Sequence, residues 1–192
     1  TNSFSVTQAS AINIGGVVTN VNCFGQSTGA INITVSGGTA PYTYDWGGAI
    51  TTEDRTGLIA GNYSVTVTDF KGCIVTGSYT ITQPAAIISA TPTITDVSCY
   101  GNSTGQVVLA VSGGTSPYTY AWTGPSSFTA STKDISGRIA GSYSVTITDA
   151  KGCTLSLTGG TAITIAQPNA ALSLSNSNIN VSCSGEANGA IN

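Results

Sequence analysis

The stretch SGGTAPYTYDW, Ser36 to Trp46, returns 76 residues later as SGGTSPYTYAW, Ser112 to Trp122. Nine of the eleven positions are identical. Within each copy Tyr42, Tyr44 and Trp46, or Tyr118, Tyr120 and Trp122, alternate with smaller residues. A period of two is the signature of a β-strand with one apolar face. Self-similarity over such a distance points to tandem modules.

Two further matches set the length of the module. RTGLIAGNYSVTVTDFKGC (Arg55 to Cys73) agrees with ISGRIAGSYSVTITDAKGC (Ile135 to Cys153) at 13 of 19 positions. VNCFGQSTGAIN (Val21 to Asn32) agrees with VSCSGEANGAIN (Val181 to Asn192) at seven of twelve. Cys23, Cys99 and Cys183 open three successive copies, with spacings of 76 and 84 residues. The difference of eight is two insertions of four. One lies between Trp122 and Cys153, the other between Cys153 and Pro168. Added length of this kind belongs in loops or at strand ends. The expected organisation is the end of a preceding repeat at 1–9, one repeat at 10–84, a second at 85–168, and the start of a following repeat at 169–192. The chain reads as a window on a longer protein. The copies meet at Gln83-Pro84 and Gln167-Pro168 without a Gly/Ser linker, so the joints should be semi-rigid.

Alternation extends through each copy. Ile31, Ile33 and Val35 share one face, as do Tyr63, Val65 and Val67. Val107, Leu109 and Val111, and then Tyr143, Val145 and Ile147, repeat the arrangement. The segments DFKG and DAKG read as tight turns with glycine at positive φ. Strands with one apolar face must bury it against a second sheet. Six or seven strands in some 80 residues give an all-β chain of tandem immunoglobulin-like β-sandwiches. Tyr44, Trp46, Tyr63, Tyr120, Trp122 and Tyr143 are the expected core aromatics, the competing reading being an exposed platform for stacking sugars.

The five cysteines fit a small sandwich. Cys23 with Cys73 and Cys99 with Cys153 is the simplest pairing, with Cys183 left for a partner outside the chain. Closing a loop of that length is worth about 4 kcal/mol in the chain-entropy model. Zinc would need CxxC pairs or histidine, and the chain has neither. Disulfides imply an oxidising compartment.

Composition excludes several functions. Only five Lys and Arg and a net charge of −3 cannot neutralise a run of phosphates, so no nucleic-acid partner is expected. No apolar run has the length of a membrane span, so membrane insertion of this segment is not expected. The absence of histidine removes Ser-His-Asp and Cys-His catalysis. Glu53 and Asp54 are neighbours on opposite strand faces and read as a solvated edge. Asp69 and Asp149 read as turn formers rather than calcium ligands. No catalytic residue, metal or cofactor is expected.

The order C-x-G-x-S/T-x-G, SGG-x-x-PYTY-x-W, IAG-x-YSVT-x-TD-x-KGC and T-x-x-QP resembles the SprB repeat of large surface proteins of Bacteroidota, including a gliding-motility adhesin. The YxW and G-x-Y-x-V-x-x-TD elements also resemble PKD-type domains. The resemblance spans essentially the whole chain. It implies a non-catalytic segment of a cell-surface or extracellular filament, exported by the type IX system. The expected partners are neighbouring repeats of the same chain, lateral copies in a fibre, and surface polysaccharide. Two alternatives are a carbohydrate-binding or spacer module of a secreted enzyme, and a purely structural extracellular fibre.

Overall fold

The structure is a computed structural model that describes residues 10–158, 163–171, 173, 178–179 and 190–191. The expected end of a preceding repeat at 1–9, Cys183, and the second four-residue insertion with most of the segment from 169 onward lie outside those residues.

Repeat one forms six strands: β1 (Asn13–Thr19), β2 (Gly29–Ser36), β3 (Thr43–Asp45), β4 (Arg55–Leu58), β5 (Gly61–Thr68) and β6 (Ile74–Ile81). They make two antiparallel sheets of order β1-β2-β4 and β3-β5-β6. Taken in chain order, this is the A-B-E and C-F-G division of an immunoglobulin-like sandwich. The alternation in the sequence explains the packing. Ile31 and Ile33 of β2, Leu58 of β4, Val65 and Val67 of β5 and Ile81 of β6 form a buried cluster with Val21. Between them Asn32 and Thr34 face out.

Repeat two forms β7 (Ser89–Thr95), β8 (Gly105–Ser112), β9 (Tyr118–Gly124), β10 (Phe128–Ala130), β11 (Ile135–Arg138), β12 (Gly141–Asp149), β13 (Thr154–Leu157) and β14 (Ile163–Ile165). One sheet has the order β11-β8-β7; the other has β10-β9-β12-β13, with β14 also paired to β12. Val107, Leu109, Ile135, Tyr143, Val145, Ile147, Ile163 and Ile165 are buried. Two short strands, β15 (Asn178–Ile179) and β16 (Ala190–Ile191), pair antiparallel beyond it. The first insertion extends β9 and adds a 3-10 turn at Pro125–Ser127 and strand β10. It is a hairpin rather than a loose loop.

Contacts group the chain into two compact units. The first is Thr1–Ala90 with Val111–Thr119 and Ile147–Leu155; the second is Thr91–Ala110, Tyr120–Thr146 and Ser156–Asn192. The SGG loop and the DAKGC turn of repeat two thus belong with repeat one.

Each repeat has a tyrosine corner. At the start of β5 the Tyr63 hydroxyl donates to the Ile59 carbonyl at 3.0 Å. At the start of β12 the Tyr143 hydroxyl donates to the Ile139 carbonyl at 3.0 Å. A bond from strand F back to the preceding corner fixes the crossing between sheets. Tyr143 is the more buried, and burial pushes its phenol pKa up despite the opposing charge of Arg138. Tyr143→Phe should therefore cost about 1 kcal/mol, and Tyr63→Phe less, because its bond is exposed to water. Urea unfolding with an unchanged slope measures both; an unmoved midpoint for Tyr143→Phe would remove the corner from the account.

Candidate functional site: the cysteine joint

Two local devices place the cysteines. The first is the turn that follows β5 or β12. Asp69 and Asp149 are buried, each 5% exposed. The Asp69 Oδ1 accepts the N–H groups of Lys71 and Cys73 at 2.9 and 2.8 Å, and its Oδ2 accepts that of Thr39 at 2.8 Å. Asp149 does the same with Lys151, Cys153 and Thr115 at 2.8, 2.9 and 2.8 Å. Gly72 and Gly152 complete the turns at φ 83° and 81°. One carboxylate therefore holds its own turn and the SGG loop opposite. A side chain at Gly114, itself at φ +62°, would stand 2.8 Å from the Asp149 Oδ2. The Tyr118 hydroxyl straps the same loop by donating to the Gly113 carbonyl at 2.5 Å, as Tyr42 does to Gly37 at 2.6 Å. The two PYTY prolines, Pro41 and Pro117, follow cis peptide bonds.

The second device is the opening turn. Gln26 N–H donates to the Cys23 carbonyl, and Asn102 N–H to that of Cys99. Gly25 N–H donates to the Gln83 side chain at 2.8 Å, and Gly101 N–H to that of Gln167 at 2.9 Å. Val21 N–H bonds the Thr82 carbonyl, and Val97 N–H that of Ala166. The glutamine of each Gln-Pro joint thus clamps the turn that carries the opening cysteine.

The structure joins these devices across repeats. Cys23 is bonded to Cys153, with a Cα–Cα distance of 5.7 Å. The expected pairs Cys23–Cys73 and Cys99–Cys153 are replaced by this one, and Cys73 and Cys99 are free and exposed. The reason is the length of a strand. Cys23 is held beside Thr82 and Gln83, just past the last residue of β6, whereas Cys73 immediately precedes the first. Eight residues of strand separate them by about 25 Å, against a reach of about 7 Å for a disulfide. In repeat two Cys99 is held at the Gly141 end of β12 and Cys153 at the Asp149 end. The chain leaves repeat one beside the opening turn and starts repeat two beside the Asp149 turn, where Gly114 N–H donates to the Ala86 carbonyl at 2.9 Å. Cys23 and Cys153 are brought together by that path. A groove of about 390 Å³ runs along the bridge, lined by Phe24, Gln26, Ile87, Ile88 and Leu155.

The expected core aromatics divide. Trp122 and Tyr143 are each 1% exposed. Tyr44, Trp46, Tyr63 and Tyr120 are half-buried, the first three packed against the repeat-one cluster. Trp46 and Trp122 both donate their indole N–H to a backbone carbonyl, at Thr52 and Thr132. The difference is cover: Ala130 of β10 pairs beside Trp122, and Phe128 packs edge-on to Tyr143 at 5.8 Å. Repeat one lacks that strand. There Arg55 lies over both Trp46 and Tyr63, and Tyr79, which is not among the expected core aromatics, lies 6.2 Å from Trp46. Gly16 opposite Tyr79 was the available clue: a Cβ there would meet the ring at 2.5 Å. Asp54, expected at a solvated edge, is exposed but structural, its carboxylate accepting the Ile33 N–H of β2 at 2.9 Å. Asp134 does this for Leu109.

The carboxylates most removed from water, Asp69 and Asp149, face N–H donors, and no group of three His, Cys, Asp or Glu among the described residues could hold a metal. No helix among them is long and apolar enough to cross a membrane. The SprB repeat family model matches residues 15–49 and 91–127, from β1 to just past Trp46 and from β7 through the 3-10 turn. At these two places the chain is similar to the SprB repeat. The matched segments include Cys23, Cys99 and both SGG-x-x-PYTY stretches; the KGC turns fall outside them. No curated protein matches the chain. SprB repeats are structural modules of cell-surface proteins, with no catalytic residues to carry over.

The Asp turns give the fold an acid limit. The Cys73 N–H above all, against burial, lowers the Asp69 pKa below 3.8, with Thr39 and Lys71 assisting. For Asp149 burial is the largest influence and acts upward, but the N–H groups of Cys153, Thr115, Lys151 and Gly152 together overrule it and the pKa is lowered. A depressed folded pKa gives stability that is complete above the unfolded value and lost as pH falls through the folded one. Thermal stability should therefore hold from neutrality down to about pH 4 and fall below it. Asp149→Asn should be less stable at pH 7 and lose less on acidification. A melting temperature for Asp149→Asn that falls as steeply with pH as the parent would count against this assignment.

Proposed function

We propose that this chain is a non-catalytic segment of an extracellular cell-surface adhesin, in which SprB repeats set length and carry load. The observation that supports it most is the Cys23–Cys153 bridge, which fastens one repeat to the next. Such a bond persists in oxidising surroundings, outside the cytoplasm. It also serves a chain under tension, since a joint of a few residues around Pro84 is the natural place for two modules to part. Export by the type IX system and a part in gliding are the finer proposals that go with the SprB repeat. Antibody to this segment should label intact, unpermeabilised cells, and brief protease treatment of those cells should abolish the label. Label that appears only after permeabilisation would defeat the reading.

A second reading, surface polysaccharide as partner, is favoured by a groove of about 440 Å³ in repeat one between Tyr63 and Tyr79, edged by Asn62, Ser64, Ser78 and Thr80. Half-exposed rings beside amide and hydroxyl groups suit a sugar face and its hydroxyls. Binding to the organism's extracellular polysaccharide, followed by tyrosine fluorescence or calorimetry, should weaken at least tenfold in Tyr79→Ala. Equal binding by that variant, or none by the parent chain, removes the polysaccharide from the groove.

A further inference from the structure

Four cysteines of the described chain sit in two kinds of turn, and only one of each kind is bonded. The bonded pair is the opening-turn Cys23 and the Asp-turn Cys153. The unbonded pair is the Asp-turn Cys73 and the opening-turn Cys99. We propose that Cys73 and Cys99 are the open halves of the same inter-repeat staple. Cys73 takes the opening-turn cysteine of an SprB repeat on its N-terminal side, and Cys99 takes the Asp-turn cysteine of one on its C-terminal side. The product is a disulfide ladder in which every bond is offset by one repeat.

Three observations carry this. First, the open halves are built like the closed ones. Cys73 N–H is held by Asp69 as Cys153 N–H is by Asp149, and the Cys99 turn has the Gly101–Gln167 clamp that the Cys23 turn has in Gly25–Gln83. Preorganised half-sites lose little freedom on joining. Second, neither open cysteine can reach the other kind of turn in its own repeat, because the length of β6 or β12 stands between them. Third, the open halves are flanked by uncovered apolar side chains. Phe70 and Ile74 beside Cys73 are 68% and 64% exposed, and Tyr100 beside Cys99 is 49% exposed. At the closed joint Phe24, the counterpart of Tyr100, lines the groove along the bridge with Ile87, Ile88 and Leu155. At that joint the following repeat sets Ile88 and Leu155 along the same groove, with Phe24 still 43% exposed. The sequence also supplies a further opening cysteine at Cys183.

The chemistry is thiol–disulfide exchange with a protein disulfide donor as oxidant. The Cys99 thiolate attacks one donor sulfur, forming a mixed disulfide and releasing the donor's other sulfur as thiolate. The partner's Asp-turn thiolate then attacks the Cys99 sulfur and displaces the donor's second sulfur. Two electrons pass from the cysteines to the donor, which leaves as a dithiol with the two protons.

The test keeps the full chain and inserts after residue 168 a second copy of residues 85–168, marked by Thr154→Ser. The protein is refolded with glutathione disulfide, treated with iodoacetamide and mapped by non-reducing proteolysis and mass spectrometry. The expected result is a bond from the first Cys99 to the marked Cys153, with the Cys23 bond to the first Cys153 retained and labelling of the first Cys99 almost lost. Labelling of that Cys99, or its bonding within its own repeat, would overturn the ladder. Cys99→Ser in the first copy should leave the marked Cys153 labelled while the Cys23 bridge persists, which separates loss of the staple from loss of folding. The outcome does not depend on whether the protein is an adhesin.

Discussion

A buried carboxylate taking three backbone N–H groups is the interaction on which the rest of this structure depends. Asp149 faces donors from its own turn and from the SGG loop opposite. A charge removed from water must be fully hydrogen-bonded, and here the bonding requirement fixes two segments at once. The loop can come so close only because its residues are glycines, and Tyr118 holds it there from the other side. The same carboxylate sets the position of Cys153. The motif that recurs so faithfully, SGG-x-x-PYTY with TD-x-KGC, is one hydrogen-bonded object split between two parts of the chain.

That object stands where one repeat gives way to the next. Repeat one ends at Gln83, whose side chain clamps the opening turn, and within a few residues the backbone is bonded to the SGG loop of repeat two. The disulfide closes across this short path but spans 130 residues of sequence. A pull applied at both ends of the chain passes through the sulfur–sulfur bond and leaves the residues between Cys23 and Cys153 unloaded. A bridge inside each sandwich would protect that sandwich and leave the joint bare. The bridge observed protects the joint as well.

The two repeats differ where the scaffold leaves freedom. The insertion in repeat two becomes β10, and with Phe128 and Ala130 it covers the Trp122 and Tyr143 side. Repeat one uses Tyr79 and Arg55 there and stays partly open. Both keep the indole N–H bond and the tyrosine corner. The frame is thus repeated while one face varies.

The alternation of Ile31 and Ile33, of Val65 and Val67, and of Val145 and Ile147 determined the strands and their buried faces, because a strand sends successive side chains to opposite sides. The internal matches determined the tandem organisation, and the Asp and Gly of DFKG and DAKG determined the turns, since those residue types suit that backbone. Burial of Trp122 but not Trp46 was not legible, because the two lie in nearly identical sequence and differ only in a strand added elsewhere. The structural role of Asp54, which reads in the sequence as a solvated edge, was not legible for the same kind of reason, its partner being a backbone N–H on another strand. The cysteine pairing was decided only in three dimensions. Spacing along the chain favours partners within one copy, but the chain leaves a sandwich at the opposite end from its Asp turn. Eight residues of extended strand keep Cys23 from Cys73, and a joint of a few residues brings it to Cys153.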